Sequence, residues 1–201
     1  MMKTTTTIAC ALLLAAVPIT LLADREAANR PVVHSGLNGR CYAKSVPDEW
    51  QGQKGTTSVY AVEMEADRLL CEYDWYASEF YLGGSDERTL VRFGPWHRLS
   101  GPREGHLAIG FYRDGECIRE YTTGQMEAAG SGISESVSHY VVFPFSGRHG
   151  FRRLEGNDFV YEVEGVSGHL FTFDVQTGAI VEQTTEQPAG ADPAKGGPVQ
   201  P

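Results

Sequence analysis

Two histidines occupy matched places in this chain. "GHLAIGFYRDGECI" (Gly105 to Ile118) and "GHLFTFDVQTGAIV" (Gly168 to Val181) align without a gap, setting His106 against His169 and Gly115 against Gly178. An imidazole pair could begin a metal site. Zinc, however, wants three or four ligands in spacings such as C-x-x-C or H-E-x-x-H, and neither occurs in the sequence. No metal and no cofactor is therefore expected. Each His follows a Gly at the mouth of an apolar run, where a strand opens, so the repeat reads as two similar hairpins rather than two halves of a site.

A second candidate is "SGISESVSHY" (Ser131 to Tyr140), which puts Ser134, Ser136 and Ser138 at alternate positions beside His139. A serine nucleophile is usually presented on a sharp G-x-S-x-G turn with its base brought from elsewhere. "GISES" lacks the closing Gly, and neighbouring residues on a strand point to opposite faces. The alternation fits one polar face of an extended binding loop, whose small hydroxyls donate and accept without blocking a partner. "GPWHRLSGPREG" (Gly94 to Gly105) is a long loop carrying Trp96, His97, Arg98 and Arg103, and a loop of that length is either packed down or functional. "GRHGFRR" (Gly147 to Arg153) is a basic island in which Arg148, Arg152 or Arg153 could grip a carboxylate, the bland option being a solvated turn. Trp96, His97, Arg98, Ser134, Ser136, Ser138, Arg148 and Arg152 are the expected partner-binding residues, and no catalytic residue is assigned.

The elements that must hold these residues read as all-β. The chain has 23 glycines, and short apolar runs are separated by turn chemistry about every eight to twelve residues. Hairpins are expected at Val59–Met64 with Leu69–Tyr73, Phe80–Leu82 with Thr89–Phe93, His106–Tyr112 with Glu116–Tyr121, and Phe159–Val163 with Leu170–Val175. Asp114-Gly115 supplies the positive φ of a tight turn. Tyr140–Phe145 and Ala179–Glu182 add strands, and short turns of helix are allowed at 47–50 and 125–129. The spacing predicts an antiparallel meander of about ten or eleven strands, in two or three small sheets that pack as an open, propeller-like assembly or a sandwich. In "CEYDWYASEFYL" (Cys71 to Leu82), Tyr73 and Trp75 are expected inside, with Asp74 and Tyr76 outside.

The ends differ in kind. Lys3 is the only charge before Asp24, and Ile8 to Ala23 is an apolar run, the layout of a secretory signal. At 1.5 Å per residue it reaches ~24 Å, short of a ~30 Å hydrocarbon core. Cleavage after Ala23 is expected, the alternative being an uncleaved anchor facing the periplasm. Residues 24–185 are expected to form a single all-β domain, and the Pro/Gly/Ala-rich 186–201 is expected to be a disordered tail. The net charge of −9, more negative by one once Lys3 is removed, disfavours nucleic acid and anionic membrane surfaces and favours a cationic partner. Of four cysteines, Cys10 leaves with the signal. An oxidising compartment allows one disulfide: Cys41–Cys71 is the closest pair in sequence, Cys71–Cys117 would tie two hairpins together, and the sequence does not choose between them.

The hairpins with Asp-Gly turns resemble the outer hairpins of β-propeller blades. In size, export signal, acidity and all-β build the chain is similar to periplasmic immunity proteins of type VI secretion, a likeness that carries no family residue. It implies a non-catalytic exported inhibitor of an envelope-targeting toxin, with a cationic toxin or envelope protein as partner. The alternatives are an envelope hydrolase, needing His97, His106, His139, Asp74 or Glu79 to converge, and a small-ligand protein using the 73–81 aromatics.

Overall fold

The computed structural model describes residues 28–185 apart from 96, 99–104, 137–138 and 145. Fifteen antiparallel strands and one short helix make up the described chain. The first sheet is a four-stranded meander of β1 (Val32–Ser35), β2 (Cys41–Pro47), β3 (Gly55–Ala61) and β4 (Arg68–Tyr73). The second takes β5 (Phe80–Gly83), β6 (Thr89–Phe93), β8 (Leu107–Arg113) and β9 (Glu116–Thr122), while β7 (His97–Arg98) leaves it for a small sheet. That small sheet has the order β10 (Ser134–Glu135), β11 (His139–Val141), β7. The last meander is β12 (His149–Arg153), β13 (Phe159–Glu164), β14 (His169–Asp174) and β15 (Ile180–Thr185). The four sheets pack together in a sandwich-like stack and none closes on itself.

Strand β6 shows how the layers are arranged. All five of its residues are buried, so it is covered on both faces. Leu90 joins one core with Val59, Tyr73 and Phe80, between the first and second sheets. Its neighbours Val91 and Phe93 point the other way, into a core with Phe111, Tyr161, Phe171 and Phe173. Alternation along one strand thus feeds two cores, and each fully buried Phe contributes roughly 1.5–3 kcal/mol. Arg92 shares the Leu90 side. Its guanidinium lies 4.2 Å over the Trp75 ring and donates to Gln53 Oε1 at 2.6 Å, so its buried charge is held by an aromatic face and an amide.

Close approach between sheets depends on small residues at chosen points. A Cβ built on Gly83 would stand 2.5 Å from the Phe151 ring, so only Gly allows β12 to lie against β5. Asp114 and Gly115 adopt φ of 53° and 88°, as the β8–β9 turn requires.

The structure has more strands than the ten or eleven expected, and four sheets rather than two or three. The inward row of β2 is Cys41, Ala43 and Ser45, too small and polar to read as a core strand. Ser45 is nevertheless fully buried in a directed chain of hydrogen bonds. The Ala77 amide donates to Ser45 Oγ (2.9 Å), Ser45 to Thr57 Oγ1 (2.8 Å), and Thr57 to the Trp75 carbonyl (2.8 Å). Tyr76, expected outside, is buried, and its hydroxyl donates to the Arg30 carbonyl at 3.0 Å.

The helix α1 (Thr123–Ala128) falls where a helical turn was expected. Thr122 caps it, its hydroxyl accepting from the Gln125 amide while the Gln125 side chain accepts from the Thr122 amide.

Candidate functional site

The small sheet gathers two segments that the sequence singles out separately. Tyr140 on β11 sits opposite His97 on β7, and His139 opposite Arg98, while Ser134 of β10 pairs with Val141. His97, Arg98, Ser134 and Ser136 therefore belong to one structural unit. Trp96 and Ser138 lie outside the described residues. Ser134 and Ser136 are exposed. The Ser136 hydroxyl accepts from the His139 amide at 3.1 Å and faces the His139 carbonyl at 3.3 Å, closing the turn between β10 and β11. Ser136 thus meets the His139 backbone and helps to close that turn.

Beside this sheet is a cleft walled by Phe93, Gly94, Pro95, Leu107, Thr123, Tyr140 and Val141. The Tyr140 hydroxyl is the polar hub of its wall, bonded to His106 Nδ1 and lying 3.2 Å from Thr123 Oγ1. His106 thereby fixes the start of α1. Its matched residue, His169, fixes the end of the same segment, since its Nδ1 donates to the Gly130 carbonyl at 2.8 Å. The Ser167 hydroxyl reinforces that contact, donating to the same carbonyl at 2.6 Å. The repeated histidines are two clamps on one helical segment. Among the described residues no group of three or more His, Cys, Asp or Glu is placed to hold a metal ion.

Arg148 and Arg152 converge on Glu162, which is nearly buried on the neighbouring strand β13. Their charges are already matched to a carboxylate within the chain, and Glu164 lies beside them, accepting from the Arg148 amide at 3.2 Å. Arg153 donates to the Gly156 carbonyl at 3.0 Å.

The cysteines do not form the Cys41–Cys71 disulfide that the sequence allows. Cys41, Cys71 and Cys117 are free thiols. Cys41 pairs with Ala61 and Cys71 with Val59, so β3 runs between them. Two strand spacings of ~4.8 Å put their backbones well beyond the ~7 Å that a disulfide spans. Burial pushes the Cys41 and Cys71 thiols above the ordinary range.

Two further surfaces were not anticipated. The outward rows of the first sheet carry Val33, the stacked pair Tyr42 and Tyr60 (ring centroids 5.1 Å apart), and Leu69. Val33 and Leu69 are about half exposed, and the β3–β4 turn adds Val62 at 52% and Met64 at 105%. Glu63, Glu65 and Asp67 surround Met64, with Arg68 paired to Glu63. The sequence signal was the turn "VEMEAD" itself, where a Met between two Glu serves no hairpin geometry.

The other surface lies at the first strands of the three meanders. Tyr81 of β5 has the His149 ring of β12 at 4.8 Å and the His34 ring of β1 at 5.7 Å, and its hydroxyl donates to Glu79 at 2.8 Å. Burial raises the Glu79 carboxyl above the usual range, partly offset by the Tyr81 hydrogen bond and by His149. Burial lowers the His34 imidazole. Glu79 is therefore held by the Tyr81 hydroxyl and lies near His149.

No family model matches this chain, and no curated protein matches it.

Proposed function

We propose that this chain is an exported, non-catalytic protein-binding module, and that its most concrete form is a periplasmic inhibitor of the immunity type, acting on an envelope-targeting toxin. The observation that carries this reading is the outer face of the first sheet with its turn, where Val33, Leu69, Val62 and Met64 are exposed together beside the Tyr42–Tyr60 stack. Exposed apolar side chains clustered on one face and rimmed by charge mark interaction surfaces. Here the turn's rim is chiefly acidic, Glu63, Glu65 and Asp67, which suits a partner presenting basic residues around an apolar patch. The chain's negative charge steers the same class of partner, and the Ile8–Ala23 run supports export to the compartment where such a toxin acts. The small sheet, with Ser134 on its free edge, offers a second, polar contact.

The test compares the wild-type chain with a Met64→Asp, Leu69→Asp variant in affinity capture from envelope extract, followed by activity assays on whatever co-purifies stoichiometrically. Both side chains are exposed, so the variant should keep the wild-type circular dichroism spectrum. Capture and inhibition by wild type, with both lost in the variant, support the reading. Equal capture by the two proteins would remove this face as the binding surface.

A further inference from the structure

Met64 stands in the β3–β4 turn with a fully exposed side chain. The turn is braced by its own carboxylates. Glu63 pairs with Arg68 at 2.6 Å, and Asp67 accepts from the Tyr42 hydroxyl at 3.0 Å and from the Glu63 amide at 3.4 Å. The Met64 thioether is thus carried out into solvent and belongs to neither core. Met126, the only other methionine among the described residues, is fully buried in the core with Phe111 and Phe171. The other apolar and aromatic side chains of the outer face, Val33, Val62, Leu69 and the Tyr42–Tyr60 pair, are hydrocarbon or phenol and offer a mild oxidant no sulfur. Of the thiols, Cys41 and Cys71 pack with the inner core, and Cys117 is on β9 of the second sheet. Met64 is therefore the group on this face whose polarity a mild oxidant can change.

We propose that Met64 is an oxidation site at which a peroxide converts the tip of this face from apolar to polar and so turns off its binding. The sulfur lone pair attacks one oxygen of hydrogen peroxide, and the O–O bond breaks. The departing hydroxide takes the proton of the new S–OH⁺ group, leaving sulfoxide and water. Sulfur loses two electrons and the peroxide gains them. The product is polar and chiral where the parent was a flexible apolar anchor. A partner that buries this side chain would then have to desolvate the sulfoxide oxygen, which weakens binding about tenfold or more. The fold does not share that cost, because Met126 is shielded and Met64 lies outside both cores. The consequence for binding rests on the reading of this face given above, whereas the chemistry at sulfur does not.

The experiment treats native residues 24–201 with hydrogen peroxide and follows each methionine by peptide mass, with free methionine in the same tube as the reference. Met64 should gain one oxygen at a rate close to that of free methionine. Met126 should react about a hundredfold or more slowly, since it is reached only when the core opens. Retention on phenyl-agarose then reads the face without any partner. The oxidised chain should keep its circular dichroism spectrum and elute at higher salt dilution than the untreated chain, while a Met64→Leu chain given the same peroxide should not shift. That variant also separates Met64 from any change at Cys117. Envelope extract supplies the last arm, in which the wild-type chain should capture its partner, the oxidised chain should capture about tenfold less, and peroxide should leave capture by Met64→Leu unchanged. Met64 unreacted while free methionine is consumed would overturn the proposal, as would an equal shift in Met64→Leu or capture that survives oxidation. A shift in retention with no capture by either form would instead count against the inhibitor reading and leave the oxidation site standing.

Discussion

Replacing Glu87 by Ala should destabilise the protein by about 3–7 kcal/mol. Glu87 sits in the β5–β6 turn with a side chain that is fully buried, and it reaches across to the β1–β2 turn of the first sheet. Its carboxylate accepts from the amides of Asn38 (2.6 Å), Arg40 (2.9 Å) and Cys41 (3.2 Å). The Arg40 guanidinium, 3.8 Å away and 61% exposed, adds little. Truncation strands the buried Cys41 amide, at roughly 1–3 kcal/mol, while the exposed Asn38 and Arg40 exchange a charge-assisted bond for water at about 0.5–1.5 kcal/mol each. The vacated volume adds ~1 kcal/mol. The φ of +60° at this position is borne equally by both residues, so it cancels.

The magnitude is a large part of the roughly 5–15 kcal/mol that holds a domain together. Urea melts of residues 24–201, read by far-ultraviolet circular dichroism, measure it directly. Gly36→Ala supplies an internal control, because its Cβ would stand 2.5 Å from Glu87 Oε2. Alone it should be costly, but in the Glu87→Ala background much of that cost should vanish, giving a coupling of about 1 kcal/mol or more. A Glu87→Ala protein within ~0.5 kcal/mol of wild type, or strictly additive variants, would refute the reasoning that this carboxylate joins the two sheets.

Glu79→Gln should stabilise the fold near pH 7 and do so less as the pH falls. A carboxyl whose folded pKa is raised contributes stability that is fully present below its unfolded pKa, ~4.3, and is lost as pH rises through the folded value. Thermal melts of the two proteins across that range check this, and a pH-independent difference would refute it. Thiol labelling of native, unreduced residues 24–201 at about pH 8 should modify exposed Cys117 first and buried Cys41 last, all more slowly than a free cysteine because burial raises each thiol. A chain with fewer than three titratable thiols after unfolding would show that a disulfide forms.

Much of the fold was legible because its strands advertise themselves. Phe80–Gly83 and Thr89–Phe93 carry large apolar residues, and Asp114-Gly115 names its own turn. Strands β1, β2 and β12 did not. The inner face of β2 is filled by small residues and a hydroxyl relay, and β12 reads as a basic turn because Arg152 on its outer side answers Glu162 on the next strand. Apolar periodicity finds strands whose inward residues are bulky, and is blind to strands whose polarity is satisfied by a neighbour. The candidate sites divide in the same way. The Ser134–Ser136 run and the His97–Arg98 segment were recognised singly, but register alone showed them to be one sheet. Glu79 and His149 are 70 positions apart in the sequence, and no local pattern links them. Met64 was the exception, a residue whose exposure could have been read from its acidic neighbours.

The small sheet has one more consequence. The first and last meanders pair only strands that follow one another along the chain, and the second departs from this only where β7 lies between β6 and β8, so each can form from fairly short-range encounters. Joining His97–Arg98 to His139–Val141 instead requires closing a long stretch of chain that includes β8, β9 and the helix, for a reward of only two residue pairs on that side. This seam should assemble last and open first, releasing its amides to exchange with solvent at a free energy below that of global unfolding. The stack therefore carries a β7–β11 pairing that can open while the meanders, and Tyr140, Val142 and Phe143 in the interior, stay folded.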